Sequence, residues 1–267
     1  MMFFFGMTDI GRKRATNQDN FLTRRLCDDV LLFILCDGMG GTNGGNIASS
    51  LATTTFADYI ESEMASYIGE DGVLKDIDNL DPEALLHSAA SAANKTVFKR
   101  SRENSDLSNM GTTLVGALVF EKTMYIVNVG DSRLYSCSQG NLEQLTHDHS
   151  YVQMLVDMQR ITKEEAATNP RRNILTRAVG TENRVESDVT VLDLPEGEVF
   201  FLLCSDGLYS FLSEENMCDI IESAPECDED DYEEELSAKV HRLIDLANEG
   251  GGGDNITAIL IKKTADE

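Results

Sequence analysis

Residues 31–41 read LLFILCDGMGG, a continuous apolar run that ends in an aspartate and a group of glycines. Six apolar residues in a row are typical of a short buried strand. The run therefore places Asp37, followed by Gly38, at the end of that strand. A carboxylate in this position destabilises a fold unless it is paired with a cation or bound to a metal ion.

The same arrangement recurs along the chain. Five short segments place an aspartate beside glycine or asparagine: NQDN (17–20), DGMGG (37–41), GDSR (130–133), SDG (205–207) and GDN (253–255). A single Asp-Gly pair is usually only a turn. Three of the five follow apolar runs, however, and Arg133 is the one basic residue within them. Together they favour a site for a hard cation such as Mg²⁺ or Mn²⁺, which prefers oxygen ligands.

Apolar patterning predicts the secondary structure around these segments. Strands are predicted over residues 1–7, 31–36, 112–120, 124–129, 133–138, 189–194, 199–204 and 256–262. Helices are predicted over residues 47–60 and 82–102, and from starts near Ser150, Thr162, Ser213 and Glu234. The three strands within 112–138 are joined by short turns, which predicts an antiparallel meander. Because strands and helices are segregated along the chain, the predicted fold class is α+β with antiparallel sheets.

Length and charge limit the possible functions. The chain has 267 residues without a low-complexity linker, which favours one domain over residues 1–267. It carries 47 acidic against 22 basic side chains, a net charge of -25. Such a negative body repels nucleic acid and anionic membrane surfaces, so binding to either is not expected. An anionic substrate would need a local positive charge to overcome this field.

The start of the chain and the cysteines indicate a cytoplasmic protein. Residues 1–7, MMFFFGM, lack a basic leader and a cleavage site, so they are predicted to form a first strand. The six cysteines contain no CxxC pair and are predicted to be reduced: Cys27, Cys36, Cys137, Cys204, Cys218 and Cys227. Residues 226–235, ECDEDDYEEE, are interpreted as a solvated loop or helix start; a weak cation site or a partner patch is the alternative.

Eight segments resemble the type 2C (PPM) metal-dependent protein phosphatases in their compact bacterial form. They occur in that family's order and spacing: GRKRATNQD (11–19), LCDGMGG (35–41), MGTT (110–113), VGDSRLY (129–135), LTHDHS (145–150), RNILTRAVG (172–180), CSDGL (204–208) and DNIT (254–257). The resemblance implies a four-layer α/β/β/α sandwich, in which helices flank two antiparallel sheets. It also implies hydrolysis of phosphoserine and phosphothreonine on proteins by a hydroxide that bridges two metal ions.

The resemblance assigns roles to individual residues. Asp37 is similar to the carboxylate that bridges both metal ions. The Gly38 carbonyl is similar to a ligand of one ion, and Asp19 is similar to the group that holds the waters of that ion. Asp206 and Asp254 are similar to ligands of the other. Two further assignments are Arg14, which resembles the family's phosphate-binding arginine, and Asp131, which resembles a ligand of a weaker third ion. The implied cofactors are Mn²⁺ or Mg²⁺, two in the core and a third bound more weakly.

The resemblance also implies a substrate-facing segment and partners. Residues 148–177 are similar to the flap beside the active site, and Arg171 and Arg172 could meet a phosphopeptide there or be ordinary surface charges. His147 and His149 are interpreted as structural hydrogen-bond partners, with catalysis as the alternative. We expect phosphoprotein substrates, a cognate Ser/Thr kinase and a monomer. The competing hypotheses are an inactive phosphatase that serves as a binding module, and a relative devoted to one small regulatory partner.

Overall fold

The computed structural model describes residues 1–75, 77–224 and 231–265. Within these ranges two sheets form, and all their strand pairs are antiparallel. The first, called the β11 sheet, has the order β1 (Met2–Asp9), β11 (Ile256–Lys263), β10 (Val199–Cys204), β7 (Arg133–Ser138), β8 (Asn141–Gln144). The second, called the β3 sheet, has the order β2 (Asp19–Cys27), β3 (Val30–Met39), β5 (Leu114–Phe120), β6 (Thr123–Val129), β9 (Asp188–Asp193), and the short β4 (Gly111–Thr112) also pairs with β3.

Helices cover the outer face of each sheet. The β3 sheet is covered by α1 (Gly41–Met64) and α2 (Pro82–Glu103), and the β11 sheet by α6 (Glu214–Glu222) and α7 (Tyr232–Glu249). Three short helices lie in the connections: α3 (Tyr151–Asp157), α4 (Lys163–Ala167) and α5 (Asp206–Tyr209). None of the helices in the described ranges is long and apolar enough to cross a membrane.

Strand β3 explains why residues 31–36 are apolar without interruption. Successive side chains of a strand point to opposite faces. Leu31, Phe33 and Leu35 contribute to the apolar layer between the two sheets, whereas Leu32 and Ile34 pack with the residues of α1 and α2. Both faces of β3 are therefore buried, and the predicted four-layer α/β/β/α sandwich is confirmed.

The predicted meander over residues 112–138 is wrong in its last strand. Strands β5 and β6 pair in the β3 sheet, but β7 pairs with β8 and β10 in the β11 sheet. The chain changes sheets at Gly130, whose φ of 111° lies in the left-handed region that favours glycine. Strand β6 is buried on both faces towards its end, so its pattern does not specify which sheet receives the next strand.

Two strands were not predicted because their sequences are polar. Strand β2 includes Arg24 and Arg25, and the four residues of β8 are half-exposed or exposed. The predicted helix starts at Ser150, Thr162 and Ser213 are confirmed, since each side chain accepts a hydrogen bond from the first turn.

The acidic stretch 226–235 is described only in part. Residues 226–230 lie outside the described residues, and so does Cys227. Asp231 caps α7, and three glutamates follow in its first turn, which agrees with the interpretation as a helix start. Negative charge in this position is favourable because it faces the positive end of the helix dipole.

Packing between the sheets should dominate stability. Leu203 is fully buried in the layer between the sheets, so we expect Leu203→Ala to lower the free energy of unfolding by about 2–5 kcal/mol. Val191 lies on β9 and is 45% exposed, and we expect Val191→Ala to cost below about 1 kcal/mol. Urea denaturation of both variants measures the difference. Equal losses would contradict the assignment of the inter-sheet core.

Candidate active site

The two sheets bring the predicted aspartates to one cleft. Asp19 begins β2 and lies directly opposite Asp37 of β3 in the ladder. Asp206 follows β10, and Asp254 precedes β11, its antiparallel neighbour. Asp131 lies where the chain crosses from one sheet to the other. Residues that are spread over 236 positions of sequence therefore meet at one cleft: Asp37, Asp131, Asp206 and Asp254 line its cavity, and Asp19 is the ladder partner of Asp37.

Hydrogen bonds fix the backbone of Asp37. Its amide N–H donates to Thr113 Oγ1 at 2.8 Å, and its carbonyl oxygen accepts from Thr113 N at 2.9 Å and from Thr112 Oγ1 at 2.8 Å. Thr113 Oγ1 also lies 2.7 Å from Ser132 Oγ, a neighbour of Asp131. Thr112 and Thr113 thus set the position of Asp37 directly, and Thr113 connects it to Ser132, the residue before β7 of the other sheet.

Two hydroxyl groups orient the carboxylate of Asp19. Ser205 Oγ and Thr257 Oγ1 both donate to Asp19 Oδ2, at 2.8 Å and 2.6 Å. Ser205 Oγ also accepts from the backbone N–H of Thr257, so the three residues form one network. The second oxygen, Asp19 Oδ1, is buried and has no hydrogen-bond partner. A buried oxygen left without a donor is destabilising, and a bound cation would satisfy it.

Asp206 shows the same feature. Its Oδ1 is buried without a hydrogen-bond partner. The following Gly207 allows this position, because a Cβ there would lie 1.9 Å from the backbone oxygen of Asn255. Only glycine permits β10 and the residues before β11 to approach so closely.

Asp254 is paired with a cation, whereas the sequence predicted that the aspartates of the cleft lack basic partners. Arg14 donates from a terminal guanidinium nitrogen to Asp254 Oδ2 at 2.6 Å, and Asn255 N donates to Oδ1 at 2.8 Å. The Asn255 side chain donates to the carbonyl oxygens of Ile10 and Thr16. Asn255 thereby holds the loop that carries Arg14 against the cleft.

Burial and mutual repulsion disfavour the ionised aspartates. Burial raises the pKa of Asp19 to about 6, against the hydrogen bonds from Thr257 and Ser205 that lower it. Burial, then the charge of Asp148, raises the pKa of Asp131 to about 7. Burial and the neighbouring carboxylates also raise the pKa values of Asp37 and Asp206 well above the ordinary value. A multivalent cation would reverse this effect because it stabilises the charged form.

The cavity has the donors and the room for hard cations. Its volume is about 380 Å³, and its wall includes Arg14, Asp37, Gly38, Asp131, Asp206 and Asp254. Among the described residues, no three oxygens of these aspartates lie within 4.8 Å of one another. The carboxylates therefore line a space rather than close on one point. An all-oxygen donor set with unsatisfied buried oxygens fits Mg²⁺ or Mn²⁺.

Gly38 is confined to its place by helix α1. A Cβ on Gly38 would lie 2.1 Å from the backbone oxygen of Gly45, and its N–H donates to the carbonyl oxygen of Gln18 at 3.1 Å. The backbone of Gly38 therefore borders the cavity between β2 and the first turns of α1. This close packing leaves no space for a side chain.

The protein phosphatase 2C family matches residues 13–256. The chain belongs to this family. A serine/threonine phosphatase, Stp, of Listeria welshimeri is 37% identical over 256 residues, which are 96% of this chain and 94% of the relative. The crystal structure of the Mycobacterium tuberculosis serine/threonine phosphatase PstP/Ppp is similar with a TM-score of 0.82, 32% identity and 99% coverage of both chains. The chain is therefore a serine/threonine protein phosphatase of the 2C type.

A second solved structure bears on the metal ions. The catalytic domain of a phosphatase PstP in complex with two manganese ions is similar with a TM-score of 0.78, 31% identity and 99% coverage of both chains. The 2C family is metal-dependent, and the oxygen donors of the cleft in this chain fit that dependence.

Sequence reasoning found the carboxylates but missed the groups that position them. Ser205 and Thr257 stand inside the segments SDG and DNIT, next to the predicted aspartates, and their proximity to Asp206 and Asp254 was the available signal. Their contact with Asp19 depends on tertiary structure. His149 is buried, accepts from Gly130 N at 3.0 Å through Nδ1 and lies 3.0 Å from Asp188 through Nε2. It is thus a structural hydrogen-bond partner, as interpreted.

The raised pKa values predict that metal-free protein loses stability as pH rises. Between about pH 4 and 7 the folded Asp19 and Asp131 retain protons that the unfolded chain has released, so the free energy of unfolding falls with increasing pH. Asp37→Asn removes one of the repelling charges. In EDTA at pH 7.5 we expect this variant to melt a few degrees above wild type, with a weaker pH dependence.

Thermal melts between pH 5 and 8 in EDTA measure this effect. Asp245→Asn is the matched control, because Asp245 is exposed on α7, and it should follow wild type. A melting temperature of Asp37→Asn at or below that of wild type at pH 7.5 would contradict the electrostatic account.

Proposed function

We propose that this phosphatase hydrolyses phosphoserine and phosphothreonine esters on proteins with two divalent cations held by the cleft aspartates. The observation that carries the proposal is the convergence of buried carboxylates with raised pKa values and unsatisfied oxygens beside the Arg14 guanidinium. Cations bound by these aspartates would supply Lewis acidity, which makes water a stronger nucleophile near neutral pH.

The aspartates would hold the cations in distinct ways. Asp37 lies opposite Asp19 in the ladder, and the charges of the four other aspartates of the cleft all raise its pKa. This central position supports Asp37 as the ligand shared by both ions. Asp206 and Asp254 would complete the site of one ion, and Asp19 with the Gly38 carbonyl would serve the other. Asp131, at the side of the cavity, would serve a third and weaker ion.

Arg14 would bind the substrate phosphate. Its side chain is 49% exposed, although one nitrogen donates to Asp254. A guanidinium has five N–H donors, so the contact with Asp254 orients Arg14 and leaves other donors for phosphate oxygens. This local positive charge, with that of the cations, would offset the net charge of -25 for an anionic substrate.

Residues 148–177 would form a flap that contacts the peptide around the phosphorylated residue. A second cavity of about 520 Å³ extends from Asp131 and Asp206 beneath this segment to Arg172. The position of Arg172 on the wall of this cavity supports a role for its side chain in peptide binding. Arg171 lies 5.7 Å from the ring centre of Tyr151, and this contact favours a structural role. We propose further that residues 1–267 act as one catalytic domain, supported by the match over residues 13–256.

The biological setting follows only from the class of activity. A serine/threonine phosphatase acts on phosphoproteins, so we propose that it opposes a Ser/Thr kinase. The cognate kinase, the monomeric state and the cytoplasmic location stay predictions.

Phosphopeptide hydrolysis tests the proposed mechanism. We expect turnover with Mn²⁺, none with EDTA, and only the background rate for Asp37→Asn. Arg14→Ala should lower kcat/KM by roughly 10²-fold, the usual cost of removing a donor to developing phosphate charge. Phosphate release from a phosphothreonine peptide measures all four conditions.

Arg12→Ala is the matched control for Arg14, because Arg12 is exposed in the same loop; it should keep wild-type kcat/KM. Folded wild-type protein that binds Mn²⁺ but releases no phosphate would instead support the inactive binding module. Full activity of Asp37→Asn would contradict the proposed metal site.

A further inference from the structure

A pair of buried thiols lies outside the catalytic cleft. Cys137 on β7 and Cys218 on α6 are both buried, and their sulfur atoms are 3.3 Å apart although 81 positions separate them in the chain. Arg133, where β7 meets the cleft, is four residues from Cys137, roughly 13 Å along an extended strand. The thiols therefore take no part in the aspartate site.

A carboxylate completes the cluster. One oxygen of Glu222 and the two sulfur atoms all lie within 4.8 Å of one another. Among the described residues, this is the one group of three histidine, cysteine or carboxylate ligand atoms that lie so close together. Glu222 Oε2 accepts from the backbone N–H of Gly140 at 2.6 Å. Lys239 donates to the carbonyl oxygens on either side, those of Ile221 and Ser223, at 2.6 Å each. The end of α6 that carries Glu222 is therefore fixed in place.

We propose that Cys137, Cys218 and Glu222 form a binding site for a thiophilic divalent cation, with zinc as the best fit. Zinc takes thiolate and carboxylate ligands in a tetrahedral arrangement. With Zn–S bonds of about 2.3 Å, that arrangement separates two sulfur atoms by about 3.8 Å. The sulfur atoms need to move apart by only about 0.5 Å to reach this distance. Three protein ligands leave the fourth position for water.

Charge and access are compatible with this site. Burial, and then the neighbouring Cys218, raises the pKa of Cys137, so the Cys137 thiol keeps its proton until a metal binds. Binding would then release two protons to solvent as two metal–sulfur bonds form. A cavity of about 290 Å³ lined by Cys137, Glu222 and Lys239 gives access, and the Lys239 ammonium offsets part of the ligands' negative charge.

The two sites differ in the ions that they select. The cleft offers only oxygen donors, which suit Mn²⁺ or Mg²⁺, whereas thiolates select softer ions. A cation at the cysteine site would link α6 to β7 of the β11 sheet. Glu214, at the other end of α6, lines the cavity beside Asp206, so this link would stiffen one wall of that cavity.

Cobalt(II) distinguishes the sites, because only thiolate ligation gives an intense sulfur-to-cobalt charge-transfer absorption. Reduced, Mn²⁺-loaded full-length protein carrying Cys227→Ser is titrated with Co²⁺. We expect the absorption to saturate at one Co²⁺ per chain and to disappear when Zn²⁺ is added. Cys137→Ser and Cys218→Ser should abolish it, and Cys27→Ser, which removes a thiol elsewhere, should retain it.

A further variant guards against misfolding of the cysteine mutants. Glu222 is exposed, so Glu222→Gln should fold normally, keep the charge-transfer band and weaken Co²⁺ binding at least about tenfold. No band in wild type, a band that survives Cys218→Ser, unchanged affinity in Glu222→Gln, or a thiol pair that only oxidises to a disulfide would each overturn the proposal. Unchanged phosphopeptide hydrolysis in the variants verifies that the aspartate site is intact.

Discussion

Repulsion among buried carboxylates around one cavity is the constraint on which this phosphatase depends. Burial raises the pKa values of Asp19, Asp37, Asp131 and Asp206, and their negative charges oppose one another. Such an arrangement is costly in isolation and becomes favourable when divalent cations occupy the cavity. The repulsion accounts for metal dependence, and the positive charge of bound cations would offset the net charge of -25 for an anionic substrate.

The sandwich provides the rigidity that holds these groups together. Asp37 lies near the end of β3, a strand that is buried on both faces, and its backbone is hydrogen-bonded to Thr112 and Thr113. The other sheet supplies Ser205 and Thr257, which hold one oxygen of Asp19 and leave the other unsatisfied. The aspartate cleft is thus built from both sheets at once, and neither sheet alone would position it.

The aspartates of the cleft could be predicted from the sequence, whereas most of the groups that contact them could not. Asp37 and Asp206 were predictable because each follows a strongly apolar run, and the resemblance to the 2C family supplied Arg14 and Asp19. The strand that Asp19 begins was missed, since Arg24 and Arg25 interrupt its apolar pattern. The sheet change at Gly130 and the hydroxyl contacts to Asp19 arise from pairing between distant strands, which no local pattern encodes. The proximity of Cys137 and Cys218 is unpredictable for the same reason.

Calorimetric titration of metal-free protein with Mn²⁺, repeated in buffers of different ionisation enthalpy, tests the central claim most directly because it counts both the ions bound and the protons released. The account predicts two Mn²⁺ ions per chain in the tight phase, release of protons at pH 6 that declines by pH 8, and loss of tight binding in Asp37→Asn. Absence of Mn²⁺ uptake, or uptake that Asp37→Asn leaves unchanged, would contradict it.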